Sequence, residues 1–142
     1  MTRRIAVDSH HPVLSLAVLV FAQNDVILNN SIIVLHWEIL DYPAAARITH
    51  AEGIVVVRVT LDDEGRVVSA SPVAGPRLLL TAATDNAKKW LFQANEKKAA
   101  VIIYEFKFEG VCSQPCPSQF TFKQPNHAII AIGNPLLNNS AQ

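Results

Sequence analysis

Cys112 and Cys116, in the run VCSQPCPSQ, are the residues whose type and spacing most directly suggest chemistry. Two thiols this close can form a small-loop disulfide, a redox pair or half of a metal site. Redox pairs favour two intervening residues at a helix start, whereas here three residues intervene and prolines flank the second cysteine. A zinc centre needs further ligands, and His127 is the one nearby candidate. The expectation is a structural Cys112–Cys116 bridge, with no metal. A bridge closing so short a loop chiefly pins a turn.

The other reactive side chains do not cluster. His36, His50, Asp41, Asp85 and the serines are scattered, and the chain holds no HExxH, GxSxG, glycine-rich phosphate loop or paired-carboxylate spacing. His50 falls near the end of a predicted helix, where capping is its ordinary use. His36 beside Trp37 reads as a packed or surface residue. Twelve basic residues balance twelve acidic ones, without a dense run of either. That balance argues against binding nucleic acid or an anionic membrane through bulk charge. The expectation is therefore a chain that is no enzyme, with no cofactor, small-molecule substrate or nucleic acid.

At 142 residues, half of them hydrophobic and 17% charged, the chain can build one respectable core. Arg3 and Arg4 precede an apolar run at residues 12–22, PVLSLAVLVFA, which is shorter than the roughly 20 residues of a membrane span. Residues 1–22 thus read as a cleaved signal peptide, the alternative being an inner-membrane anchor through 12–22. Cleavage would remove two basic residues and one acidic residue, leaving a net −1. Residues 23–41 form a lead-in, 42–110 the domain, and 111–142 a cysteine-containing extension.

Several elements must position any site. Residues 31–40, SIIVLHWEIL, suit a lead-in strand or extended segment. Pro43 and the small residues after it favour a helix up to Gly53. Residues 54–61, IVVVRVTL, alternate Val55, Val57, Val59 and Leu61 on one face, and Asp62 to Gly65 turns them into a hairpin. Gly75-Pro76 opens a second helix in which Leu80, Ala83, Ala87 and Trp90 or Leu91 recur at helical spacing. Trp90 and Phe92 read as anchors closing that helix onto a sheet, and residues 93–98 as a polar loop. A third strand covers residues 100–108. Ile102, Tyr104, Phe106 and Phe108 share one of its faces, and Glu105 and Lys107 lie on the other. Beyond Gly110 a loop is expected to Pro117, then short strands near 120–122 and 128–132, with Asn134-Pro135 fraying.

In that order, these landmarks resemble the carboxy-terminal domain of the TonB family. They are Tyr42-Pro43 with its small-residue helix, Gly53, the acidic-glycine hairpin at Asp63 to Gly65, Gly75, the helix through Leu79 and Ala83, Trp90-Leu91-Phe92, and the closing strand at 101–108. The resemblance implies an α+β fold, with two helices on one face of a three-stranded antiparallel sheet; the extension after Gly110 is additional to it and is the place for a further strand. It also implies a periplasmic module of TonB-dependent transport that grips an extended segment of an outer-membrane receptor. The chain departs from the family in three ways. Residues 23–41 hold no proline-rich spacer and would span only about 70 Å fully extended. Ala94 stands where a proline often follows the tryptophan-phenylalanine pair, and the extension carries two cysteines.

Transferred to this sequence, the resemblance places a receptor peptide along an edge strand of Val101, Ile102, Ile103, Tyr104, Glu105, Phe106, Lys107 and Phe108. Main-chain hydrogen bonds would supply affinity, and Ile103, Glu105 and Lys107 selectivity. The alternative is a self-associating envelope scaffold. Its edge would be covered by residues 128–132 or by a second copy, making a homodimer.

Overall fold

The computed structural model describes residues 32–136, so the signal-peptide expectation for residues 1–22 lies outside the described residues. Nine elements follow in order: β1 (Val34–His36), α1 (Ala44–Thr49), β2 (Gly53–Leu61), β3 (Val67–Ala74), α2 (Arg77–Ala87), β4 (Leu91–Phe92), β5 (Ala99–Cys112), β6 (Ser118–Lys123) and β7 (His127–Pro135). No helix among them is long and apolar enough to cross a membrane.

Both helices begin just after a proline whose ring fixes φ near −62° and which needs no backbone donor, Pro43 for α1 and Pro76 for α2. His50 ends α1 in the left-handed conformation, φ 55°, and its N–H donates to the carbonyls of Ala46 and Arg47. That is the capping role the sequence assigned to it. Along α2, Leu79, Ala83, Asn86 and Ala87 are buried, the spacing of a single helical face.

The β2–β3 hairpin is built by its turn. Asp62 Oδ1 accepts from the N–H groups of Glu64 and Arg66, both at 2.9 Å, and these bonds hold its carboxyl below the usual carboxylate range. Gly65, φ 86°, passes directly beneath β4. A Cβ there would lie 1.8 Å from the Phe92 carbonyl oxygen, so no other residue fits.

The expected three-stranded antiparallel sheet is not what the chain forms. The main sheet has five strands in the order β3-β2-β5-β7-β6, with β5 and β7 parallel and the other pairs antiparallel, and β1 and β4 form a separate two-stranded sheet. The α+β class itself stands. Residues beyond Gly110 enlarge the sheet because their apolar alternation continues one inner face. Val55, Val57 and Val59 of β2, Ile102, Tyr104 and Phe106 of β5, and Ala128, Ile130 and Ile132 of β7 are all buried there. Each large apolar side chain so placed contributes about 1.5–3 kcal/mol relative to exposure.

Three local expectations change as well. The second helix, read as running to Trp90 or Leu91, ends at Ala87, and Leu91–Phe92 is a strand, because Phe92 N donates to Gly65 O and Gln93 N to Ile33 O. β5 runs through Gly110 to Cys112 instead of ending at Phe108. Asn134 and Pro135 remain in β7, opposite Val111 and Cys112, and Asn134 Nδ2 donates to Gly110 O at 2.8 Å.

Candidate peptide-binding edges of the sheet

β5 carries the residues expected to bind a peptide, and its alternation is as read. Ile102, Tyr104 and Phe106 are buried on the helix side, while Ile103, Glu105 and Lys107 are half-buried on the opposite face. Its expected open edge is not there. On one side Ala99 to Phe106 pair with Thr60 to Gly53 of β2. On the other, Ile103 to Phe108 pair in parallel with His127 to Ile132 of β7. Ile103 N donates to Asn126 O at 3.0 Å, and Asn126 Nδ2 donates to Val101 O at 2.7 Å. Beyond the end of β2, Phe108 N finds the Glu52 carboxylate at 3.0 Å. The strand from Val101 to Phe108 is interior, because β7 supplies it with a second partner.

The residues expected to set selectivity meet neighbours within the fold. Glu105 faces His127 of β7 at 3.5 Å, and Lys107 pairs with Glu109 at 3.1 Å. Cys112 and Cys116 are bonded, with Cα atoms 5.7 Å apart, in the link from β5 to β6. Gly133 of β7 lies against this bridge, where a Cβ would come 2.8 Å from Cys112 Sγ. Among the described residues no three His, Cys, Asp or Glu side chains gather as a metal site.

Which main-chain groups stay open follows from the register. Strand residues present their N–H and C=O alternately to the two sides. Because Ile103 N bonds toward β7, the odd residues of β5 face β7 and the even ones face β2. The parallel ladder then turns Ala128, Ile130 and Ile132 toward β5, and His127, Ile129 and Ala131 toward β6. Their partners Lys123, Thr121 and Gln119 bond inward, which leaves the N–H and C=O of Ser118, Phe120 and Phe122 on the rim. At the other rim, Leu61 N bonds toward β5, to Lys98 O at 2.8 Å. Val57 therefore also faces β5, and Pro72, opposite it on β3, directs its backbone nitrogen outward.

A hub missed in the sequence holds the lead-in beside β6. Asn86, buried on α2, accepts at Oδ1 from Trp90 Nε1 and from the Tyr104 hydroxyl, both at 2.8 Å. Its Nδ2 donates to Glu38 O at 3.0 Å. Burial pushes the Tyr104 hydroxyl far above its ordinary pKa. Burial, aided by the nearby Glu52 charge, raises that of Tyr42 to about 12. Tyr42 N donates to Ser118 Oγ at 2.9 Å, and Trp37 stacks on Phe122 with ring centroids 4.4 Å apart. The only sequence signal for the hub was the position of Asn86 on the face shared by Ala83 and Trp90.

A cleft of about 440 Å³ opens between α1 and the disulfide loop, lined by Arg47, His50, Phe108, Pro115 and Ile132 among others. His50 stacks on Phe108 there, 4.3 Å between ring centroids, which matches a packing role better than catalysis.

No curated protein and no solved structure matches the chain. A family model described as the Gram-negative bacterial TonB protein C-terminal matches residues 39–109, half of the 142. That family is envelope-associated and non-catalytic, and serves TonB-dependent transport through outer-membrane receptors. The chain belongs to the TonB protein C-terminal family.

Proposed function

We propose that this protein is a non-catalytic periplasmic module of TonB-dependent transport that holds an extended segment of an outer-membrane receptor by β-strand addition. The observation that carries this reading is the span of the family match. Residues 39–109 take in both helices together with β2, β3, β4 and most of β5, the helices and central strands that would support such a grip. Affinity in this mode comes from main-chain hydrogen bonds, with side chains tuning the choice of partner. Titration calorimetry with peptides copied from the periplasm-facing segments of outer-membrane receptors tests it. Saturable binding that is lost when alternate peptide amides are N-methylated is expected. Absence of binding by every receptor segment, or indifference to N-methylation, would contradict it.

A second reading is favoured by one observation. β7 occupies the β5 edge from within the chain, as a self-associating envelope scaffold with a covered edge would require. Sedimentation separates the two, since a scaffold assembles without any receptor peptide.

A further inference from the structure

We infer that the receiving edge of this protein is β6, and that it takes an extended peptide with alternating apolar side chains and a carboxylate placed to meet Lys123. The inference rests on the strand-addition reading and relocates its site from β5 to the outermost strand of the extension.

Three independent features of the structure converge on β6. The first is main-chain geometry. Ser118, Phe120 and Phe122 direct unpaired N–H and C=O groups outward, and β6 pairs with β7 over six consecutive positions without a register shift. A straight rim of this kind is a template for one more strand. No backbone–backbone hydrogen bond joins it to a further strand among the described residues.

The second is an exposed apolar row on the lead-in, which meets β6 at Ile33 and Trp37. Ile33, Leu35, Trp37 and Ile39, alternate residues of the lead-in, are 48%, 57%, 41% and 69% exposed. The lead-in runs along β6, with Ile33 beside Phe122, Gln124 and Pro125, Trp37 stacked on Phe122, and Tyr42 bonded to Ser118. A cavity of about 120 Å³ lined by Ile33, Phe122 and Pro125 can seat one small apolar side chain. Four exposed apolar side chains at a two-residue period match the side-chain period of an added strand.

The third is charge. Lys123 is the one charged residue of β6 and makes no ion pair among the described residues. The opposite rim fails on the first feature. Pro72 removes an outward donor from β3, and two register shifts distort that strand.

The probe is an acetylated, amidated six-residue peptide alternating valine and threonine, with aspartate at either the amino or the carboxyl end. Amide hydrogen exchange is followed by NMR on the full chain. The amides of Phe120 and Phe122 are expected to gain protection on saturation, with β7 unchanged and one aspartate position binding more tightly. Phe120→Pro, compared with Phe120→Ala, should weaken the peptide by about tenfold, the loss of one main-chain donor. No binding of either peptide, or binding that exposes β7 amides and protects nothing on β6, would overturn the inference. Protection of Phe120 and Phe122 that grows with protein concentration alone would also overturn it, by showing a second copy on the rim. Because the probes are designed peptides, failure here leaves the receptor-segment titration to decide the strand-addition reading separately.

Discussion

At one end of the main sheet β3 carries Pro72 and two register shifts against β2, whereas at the other end β6 follows β7 residue by residue from Ser118 to Lys123. The contrast is one of hydrogen-bonding capacity. The nitrogen of Pro72 points away from β2, so the proline costs no ladder bond and denies an incoming strand a donor. β6 has no such interruption, and its outward groups belong to Ser118, Phe120 and Phe122. Between them lies β5, paired on both sides, which the resemblance alone would have made the edge. The family frame is therefore present, but its last strand has been moved inward by a hairpin drawn from the extension.

Proline substitutions probe the contrast most severely. Ile103→Pro deletes the bond from Ile103 N to Asn126 O in a doubly paired strand and should cost about 3 kcal/mol or more, enough to unfold a marginal domain. Phe120→Pro removes no ladder donor, so its denaturant midpoint should stay close to that of Phe120→Ala. Equal losses for the two prolines would remove the distinction between interior and rim.

The Asn86 hub comes next. Asn86→Ala leaves the buried Trp90 Nε1–H and the Tyr104 hydroxyl without their shared acceptor, at about 2–4 kcal/mol in urea unfolding. It also frees the Glu38 carbonyl, so Trp37 fluorescence should report a loosened lead-in at denaturant concentrations where the sheet persists.

Reducing the Cys112–Cys116 bridge should cost less, about 2 kcal/mol at most for so short a loop. Its effect should concentrate on the β5–β6 link, leaving the β2–β3 hairpin unchanged in hydrogen exchange.

Alkaline titration is gentler and bears on the inner face. Tyr42 and Tyr104 are the only two tyrosines, and the fold raises the pKa of both, that of Tyr42 to about 12. The neutral phenol is favoured in the fold, so this stabilisation is intact below the unfolded value of about 10 and is lost as the pH rises beyond it. Phenolate absorbance should be absent from the folded protein near pH 10 and present in urea at the same pH. A folded protein that ionises like free tyrosine would contradict the buried placement.

The sequence made local structure legible where a signal is carried by neighbours. The alternation in residues 54–61, the Asp62 to Gly65 turn and the prolines before both helices each specify geometry within a few residues, and β2, β3, α1 and α2 follow them closely. Phe120–Phe122 and Ala128–Ile132 were also recognisable as strand-like. Their place in the sheet was not, because a parallel pairing of Ile103–Phe108 with His127–Ile132 leaves no turn or spacing to announce it. The two-residue strand β4 was hidden for a related reason. Trp90 or Leu91 continues an apolar helical period, and only the distant Gly65 and Ile33 carbonyls make Leu91 and Phe92 a strand. For the candidate site, the mode of strand addition could be read but the strand could not. Asn86 gave no polar signal on a face that otherwise reads as core.

Residue-resolved amide exchange in the free, monomeric protein distinguishes a covered β5 edge from an open one. Slow exchange is expected for Ile103, Glu105 and Lys107, whose N–H groups face β7, and for Gln119, Thr121 and Lys123, with fast exchange for Phe120 and Phe122. Fast exchange at Ile103, Glu105 and Lys107 in a protein that still protects Ile102, Tyr104 and Phe106 would instead show the β5 edge to be open and β7 not to cover it.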